Sequence, residues 1–113
     1  MASPKLDMSK IDPRDFELAL KVVKAAKTIA GDKLIKVIWF GSRVKGTARD
    51  DSDFDFVVIG NFEERPPVLY SSLRREIGIY NIPIDCIPTT PENFEKLFFR
   101  DAILEEGIPL YER

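Results

Sequence analysis

The sequence contains no histidine and a single cysteine, Cys86, among 113 residues. The first absence removes histidine-based zinc sites and Ser-His-Asp triads from consideration. The second excludes a disulfide within the chain and fits a reducing compartment, so a cytoplasmic location is expected. No apolar run approaches the length of a membrane span, and the N-terminal stretch lacks the apolar centre of a signal peptide. No membrane partner is expected. There is no large excess of one charge either: 17 basic and 19 acidic residues leave a formal net charge of −2. A dedicated nucleic-acid binder would carry a basic face, so that class is set aside. Nucleotides, which a local loop and a metal can hold, are not. No internal repeat or low-complexity segment is present. What is there is a hydrophobic share of 44% beside 32% charged residues, a composition that suits one domain, residues 1–113, with a real core.

The chain is organised around residues 40–60. Two apolar runs, Leu34 to Phe40 and Phe54 to Ile59, are joined by a polar segment that holds Gly41 and Gly46. The second run alternates as a strand does, with Phe54, Phe56 and Val58 on one face and Asp53, Asp55 and Val57 on the other. Two carboxylates therefore stand on one face, their Cβ atoms roughly 6–7 Å apart. Like charges so placed repel unless a cation lies between them, and a divalent metal is the hard cation that carboxylate oxygens suit. Upstream, Gly41-Ser42 follows a strand and can open a helix, an arrangement that suits an anion such as phosphate. The plainer alternative is a β-hairpin with a glycine-containing turn and two solvated aspartates, although strands are depleted in Asp.

Residues 1–11 read as a loose leader. Asp12-Pro13 then starts a helix, with Asp12 as N-cap and Phe16, Leu20, Val23 and Ile29 recurring at helical spacing until Gly31. Lys21, Lys24 and Lys27 fall opposite and read as a solvated face rather than a basic patch. Leu34 to Phe40 is a strand in which Trp39 and Phe40 either pack beneath the loop or stack on a base. The strand from Asp53 to Ile59 is expected to run antiparallel to it.

A third helix opens near Pro67, carries Val68, Leu69, Leu73 and Ile77, and stops at Gly78. Ile82 to Ile87 is a short strand that Pro83 places at an edge or a strand start. Asp85 is its single charge, either a solvated edge residue or a partner of the other carboxylates. Thr90-Pro91 starts a last helix, whose apolar stripe from Phe94 through Leu104 runs to Gly107, and Ile108 to Tyr111 is an extended apolar tail. The order implies a small α/β (α+β) fold, a mixed sheet covered on one side by helices.

Gly41-Ser42, ten residues, then Asp53-x-Asp55 resembles the signature of the nucleotidyltransferase superfamily related to DNA polymerase beta. The short chain and its Glu-Glu-Gly-Ile-Pro-Leu-Tyr ending are similar to the minimal nucleotidyltransferases, some of which serve as antitoxins to HEPN-type RNase toxins. The resemblance implies a nucleotidyltransferase fold and transfer of a nucleoside monophosphate, AMP from ATP or from another NTP, to an acceptor hydroxyl. It implies two Mg²⁺ ions, or Mn²⁺, about 3.5–4 Å apart and bridged by Asp53 and Asp55. Asp85 would be the third metal carboxylate and catalytic residue, able to take the acceptor proton. Gly41, Ser42, Arg43, Lys45 and Gly46 would form the nucleotide-binding loop. Lys45 stands where family members often carry Arg, which leaves the donor-phosphate contact less specified.

Larger relatives such as kanamycin nucleotidyltransferase add a helical domain that binds the acceptor. Here the acceptor surface is expected from a second chain, a HEPN-type toxin offering a tyrosine or another copy in a homodimer. A non-catalytic antitoxin and a nucleotide sensor are the competing readings.

Overall fold

The computed structural model describes residues 9, 11–78 and 83–113. Helix α1, Pro13–Ala30, starts as its sequence directs: the Asp12 carboxylate accepts the Arg14 N–H at 2.8 Å, and Pro13 fills the first turn. Its buried face is Ala19, Val22, Val23, Ala25 and Ala26. Leu20, expected on that face, is instead exposed, as are Lys21, Lys24 and Lys27. A 3-10 turn, Gly31–Lys33, leads into β1, Leu34–Phe40. After it come a four-residue helix α2, Ser42–Lys45, and then β2, Phe54–Gly60. Helix α3, Pro66–Ile77, buries Leu69, Leu73 and Ile77 and leaves Val68 exposed. The chain closes with β3 (Ile84–Thr89), α4 (Pro91–Glu95), α5 (Arg100–Glu106) and β4 (Ile108–Glu112).

The sheet order is β3-β2-β1-β4, with β1 antiparallel to both β2 and β4, and β2 parallel to β3. The extended tail is thus an edge strand, and Ile108 within it is buried. At the opposite edge, β3 tolerates Pro88, as an outer strand can. Of the predicted strand 82–87, Ile82 lies outside the described residues. So does most of the predicted leader, but Ile11 is buried in the core.

Two departures from the sequence reading share one cause. The sheet is covered on both faces, not one. On one face Trp39, Phe54 and Phe56 stack with centroids 6.1–6.5 Å apart and meet α1 and α3. On the other, Ile38, Val57 and Ile59 pack against Phe94 of α4 and Ile103 of α5. Phe94 and Ile103 are nine residues apart, about two and a half turns, so one straight helix would point them in opposite directions. The helix expected from Pro91 to Gly107 therefore breaks. Three-residue bonds at Leu97 N–H to Phe94 O and Arg100 N–H to Leu97 O (both 3.1 Å) turn the chain, and both side chains reach the sheet. Phe98 is left fully exposed at the corner, with Phe99 beside it partly so. Among the described residues no helix is long and apolar enough to cross a membrane.

Candidate active site

Alternation along β2 sends Phe54, Phe56 and Val58 into the aromatic core and leaves Asp55 on the second face, with Asp53 in the loop just before the strand. The parallel register pairs Asp55 with Asp85 on β3, and the antiparallel register pairs Asp55 with Phe40 on β1. Cross-strand partners share a face, so Asp85 stands beside Asp55 at one strand spacing, about 4.8 Å. Asp85 is half-buried rather than a solvated edge residue.

Burial raises the Asp55 carboxyl above the usual carboxylate range, and the negative charges of Asp53 and then Asp85 push it further in the same direction. Among the described residues no salt bridge neutralises any of the three. They do not form a ready-made cage: among the described residues, no three His, Cys, Asp or Glu groups are gathered to hold an ion by themselves. Mg²⁺ is usually held by one or two carboxylates, with substrate phosphates and water completing its shell. A partial set of adjacent, mutually repelling carboxylates fits that use.

Gly41 comes directly against this cluster. Its φ is +95°, and a Cβ at that position would lie 2.5 Å from Asp55 Oδ2. Glycine is required twice over, by backbone conformation and by the carboxylate packed on it. The group packed on Gly41 is thus a carboxylate of the chain itself, Asp55. Ser42 opens α2 immediately after, and Gly46 ends it in the left-handed region at φ +79°.

The two basic residues of the loop part company. Arg43, expected in the nucleotide-binding loop beside Lys45, has a side chain that is only 7% exposed. Its guanidinium donates to Asp15 Oδ2 (3.0 Å), Ser52 O (3.0 Å) and Asp50 O (3.0 Å), and it lies 4.3 Å from the Phe54 ring centroid. With donors directed into the protein, Arg43 is a strut: it ties the loop carrying Asp53 to α1 and to the aromatic core. Lys45 pairs with Glu106 at 2.7 Å, both about half exposed. Such pairs contribute at most about 1 kcal/mol, so a phosphate can displace Glu106. Beside it, Phe40, Gly41, Phe99 and Ile103 help line a cavity of about 200 Å³. Trp39 lies wholly within the core, so of the two aromatics considered for base stacking only Phe40 borders open space.

Asp15 and Glu106, which position Arg43 and Lys45, went unrecognised in the sequence. They lie 28 and 61 positions from their partners, and no local spacing signals either pairing.

The fold agrees with the comparisons to known proteins. Residues 20–110 match the nucleotidyltransferase domain family, and the chain belongs to it. It is similar in structure to a Sulfolobus solfataricus protein described as a nucleotidyltransferase, at 21% identity and TM-score 0.62, covering 88% of this chain and 82% of the other. It is also similar to a toxin–antitoxin crystallised with AMP-PNP, at 16% identity and TM-score 0.56 with coverages of 81% and 72%. A third structure is spectinomycin adenyltransferase from Enterococcus faecialis with ATP and spectinomycin, at 17% identity and TM-score 0.57. That match covers 83% of this chain but only 48% of the adenyltransferase. At these identities the three likenesses establish the fold. No curated protein matches the chain in sequence.

Proposed function

We propose that this domain transfers AMP from ATP to a hydroxyl on a partner protein, a tyrosine of a HEPN-type RNase toxin, and so acts as an antitoxin. The observation that carries the reading is the uncompensated pair Asp55 and Asp85 on one sheet face, with Asp53 in the loop just before it and Asp55 packed against the Gly41 turn. Family membership supports it, and so does the likeness to a toxin–antitoxin crystallised with an ATP analogue. Asp53 and Asp55 would hold Mg²⁺, which when bound neutralises phosphate charge as the bond to pyrophosphate breaks. Ser42 and Lys45 would meet the phosphates. Arg43 acts indirectly, by holding the loop that delivers Asp53. The acceptor oxygen attacks the α-phosphorus, the bond from that phosphorus to the bridging oxygen breaks, and pyrophosphate leaves. The acceptor proton passes to Asp85, half-buried beside Asp55.

The exposed corner of Phe98 and Phe99 supports dependence on a partner surface, since contiguous exposed apolar side chains mark interaction sites. Phe94 of the same apolar stripe and Ile108 of the tail belong to the core. The test is mass spectrometry of a HEPN-type toxin incubated with the domain, ATP and Mg²⁺. A gain of AMP on a toxin tyrosine is expected, reduced at least roughly 100-fold by Asp53→Asn, more than the loss of an outer partner to a metal ligand produces. Tight complex formation with no mass gain would replace this reading with neutralisation by binding alone.

A further inference from the structure

We infer that the trough between the start of α3 and β3 is the acceptor subsite, and that it takes one tyrosine side chain projecting from a partner protein. The inference rests on the reading above for the role of Asp85, and it assigns Pro66, Pro67 and Tyr70 as the positioning surface.

Pro66, Pro67 and Tyr70 from α3 face Ile87 and Pro88 from β3 across about 280 Å³, and Asp85 is part of the same lining. The volume lies just under the range of about 300–1,000 Å³ that encloses a drug-sized ligand. It admits an aromatic side chain. The trough is also shallow and open along the sheet edge, whereas small-molecule sites bury about 70–90% of their ligand. A side chain held in place by the rest of a protein needs no such enclosure.

The walls select the kind of side chain. Pro66, Pro67, the Tyr70 ring, Ile87 and Pro88 give the trough an almost wholly apolar surface, with Asp85 and Cys86 completing the lining, so it covers an aromatic ring and leaves a serine or threonine side chain loose. Tyr70 is 37% exposed and offers its ring for an aromatic pair. A phenol has a hydroxyl to donate to Asp85, and Asp85 is the register partner of Asp55. The ring is thereby gripped at the edge while its oxygen lies one strand from the carboxylate packed on Gly41. An RNA end would stack here too, but phosphates need a cationic track. None of the lining residues is Lys or Arg, and the segment leading into α3, Glu63-Glu64-Arg65, carries a net negative charge.

The test has a binding arm and a kinetic arm. In the first, the ¹⁵N-labelled domain is titrated with N-acetyltyrosinamide, N-acetylserinamide or a short oligoadenylate, without ATP or metal. The tyrosine probe alone should shift the amide signals of Tyr70, Asp85 and Ile87, and Tyr70→Ala should weaken that response about 3- to 10-fold. Shifts at these residues from the oligoadenylate and not from the phenol would overturn the proposal in favour of a nucleic-acid acceptor. Tyrosine-probe shifts confined to other parts of the domain would remove the acceptor from this trough. In the kinetic arm, Tyr70→Ala should raise KM for the toxin about 3- to 10-fold and leave KM for ATP unchanged. An unchanged toxin KM in a transfer-competent enzyme overturns the trough and leaves the transfer reading intact. Probe binding at the trough with no transfer by the wild type overturns the transfer reading and leaves the trough standing.

Discussion

Asp15 and Asp55 are both withdrawn from solvent on neighbouring parts of the fold, and their surroundings have opposite sign. Asp15 meets the Arg43 guanidinium at 3.0 Å, in a pair whose side chains are 17% and 7% exposed. Asp55 meets only more negative charge, Asp53 and Asp85, and burial raises its carboxyl in the same direction. A half-buried carboxylate with its cation supplied by the chain is a structural joint. One whose neighbours are anions stores repulsion, and such repulsion persists where an external cation is meant to relieve it. The two are mechanically connected, because Arg43 also grips Ser52 O, just ahead of Asp53.

The largest effect should come from breaking the joint. Arg43→Ala leaves Asp15 uncompensated, frees the carbonyls of Asp50 and Ser52, and removes the cation from the Phe54 ring. Removing one partner of a buried pair costs about 3–5 kcal/mol, a large part of the roughly 5–15 kcal/mol that holds a domain together. Urea unfolding measures it. Arg43→Lys should fall between wild type and Arg43→Ala, since a point charge can reach Asp15 but not also the two carbonyls that the fork reaches. A loss under about 1 kcal/mol for Arg43→Ala would make Asp15–Arg43 an ordinary surface pair and remove the contrast with Asp55.

The converse change, on the repelling side, is smaller and of opposite sign. Asp55→Asn should raise the thermal midpoint at neutral pH without metal. The native Asp55 carboxyl is raised, so the folded state holds its proton more tightly than the unfolded state, where the value is near 3.8. Its contribution is most favourable below that value and is lost as pH rises through the native one. The advantage of Asp55→Asn should therefore shrink as pH falls and vanish below about pH 4. Mg²⁺ should stabilise the wild type and do little for the variant. A variant that is less stable than wild type at neutral pH and keeps its Mg²⁺ response would show that the carboxylate is satisfied within the protein.

These contrasts also mark how far the sequence could be read. The alternation of β2 separated Asp55 from the Phe54, Phe56 and Val58 face, because strand periodicity is local and strict. Asp53, however, proved to lie in the loop before the strand, and the isolated charge of Asp85 left two readings open until the β2–β3 register paired it with Asp55. The caps Asp12 and Thr90 were legible because they too are set locally. Arg43 misled because its type and position suit phosphate, while its burial depends on Asp15, 28 residues away on another element. The break between α4 and α5 was hidden by composition: Phe94 through Leu104 reads as one apolar stripe until the sheet demands that Phe94 and Ile103 face the same way. Tyr70 gave no signal at all, since the trough it lines exists only once β3 lies beside α3.

The smallest expected effect tests whether the Asp85 charge is felt across the strand that carries it. Cys86 points into the aromatic core, fully buried, and its thiol is pushed up to about 12, first by burial and then by Asp85, with Arg74 acting in the opposite direction. The folded state therefore favours the protonated thiol. That preference is fully present below the unfolded value near 9.0 and is lost only as pH rises towards 12. At about pH 8 a thiol reagent should label the native protein slowly, at a rate set by opening of the fold, because only the thiolate reacts. Asp85→Asn removes the second cause and keeps the first, so the thiol should move down while staying above its unfolded value. Titration of the native thiol, followed through the ¹³Cβ chemical shift of Cys86, should then give a lower value in Asp85→Asn than in wild type, by no more than about one pKa unit. An unchanged titration, with equal unfolding free energies, would mean that Asp85 exerts no field at Cys86. That result would weaken the case that Asp85 acts on Asp55, its partner on the next strand.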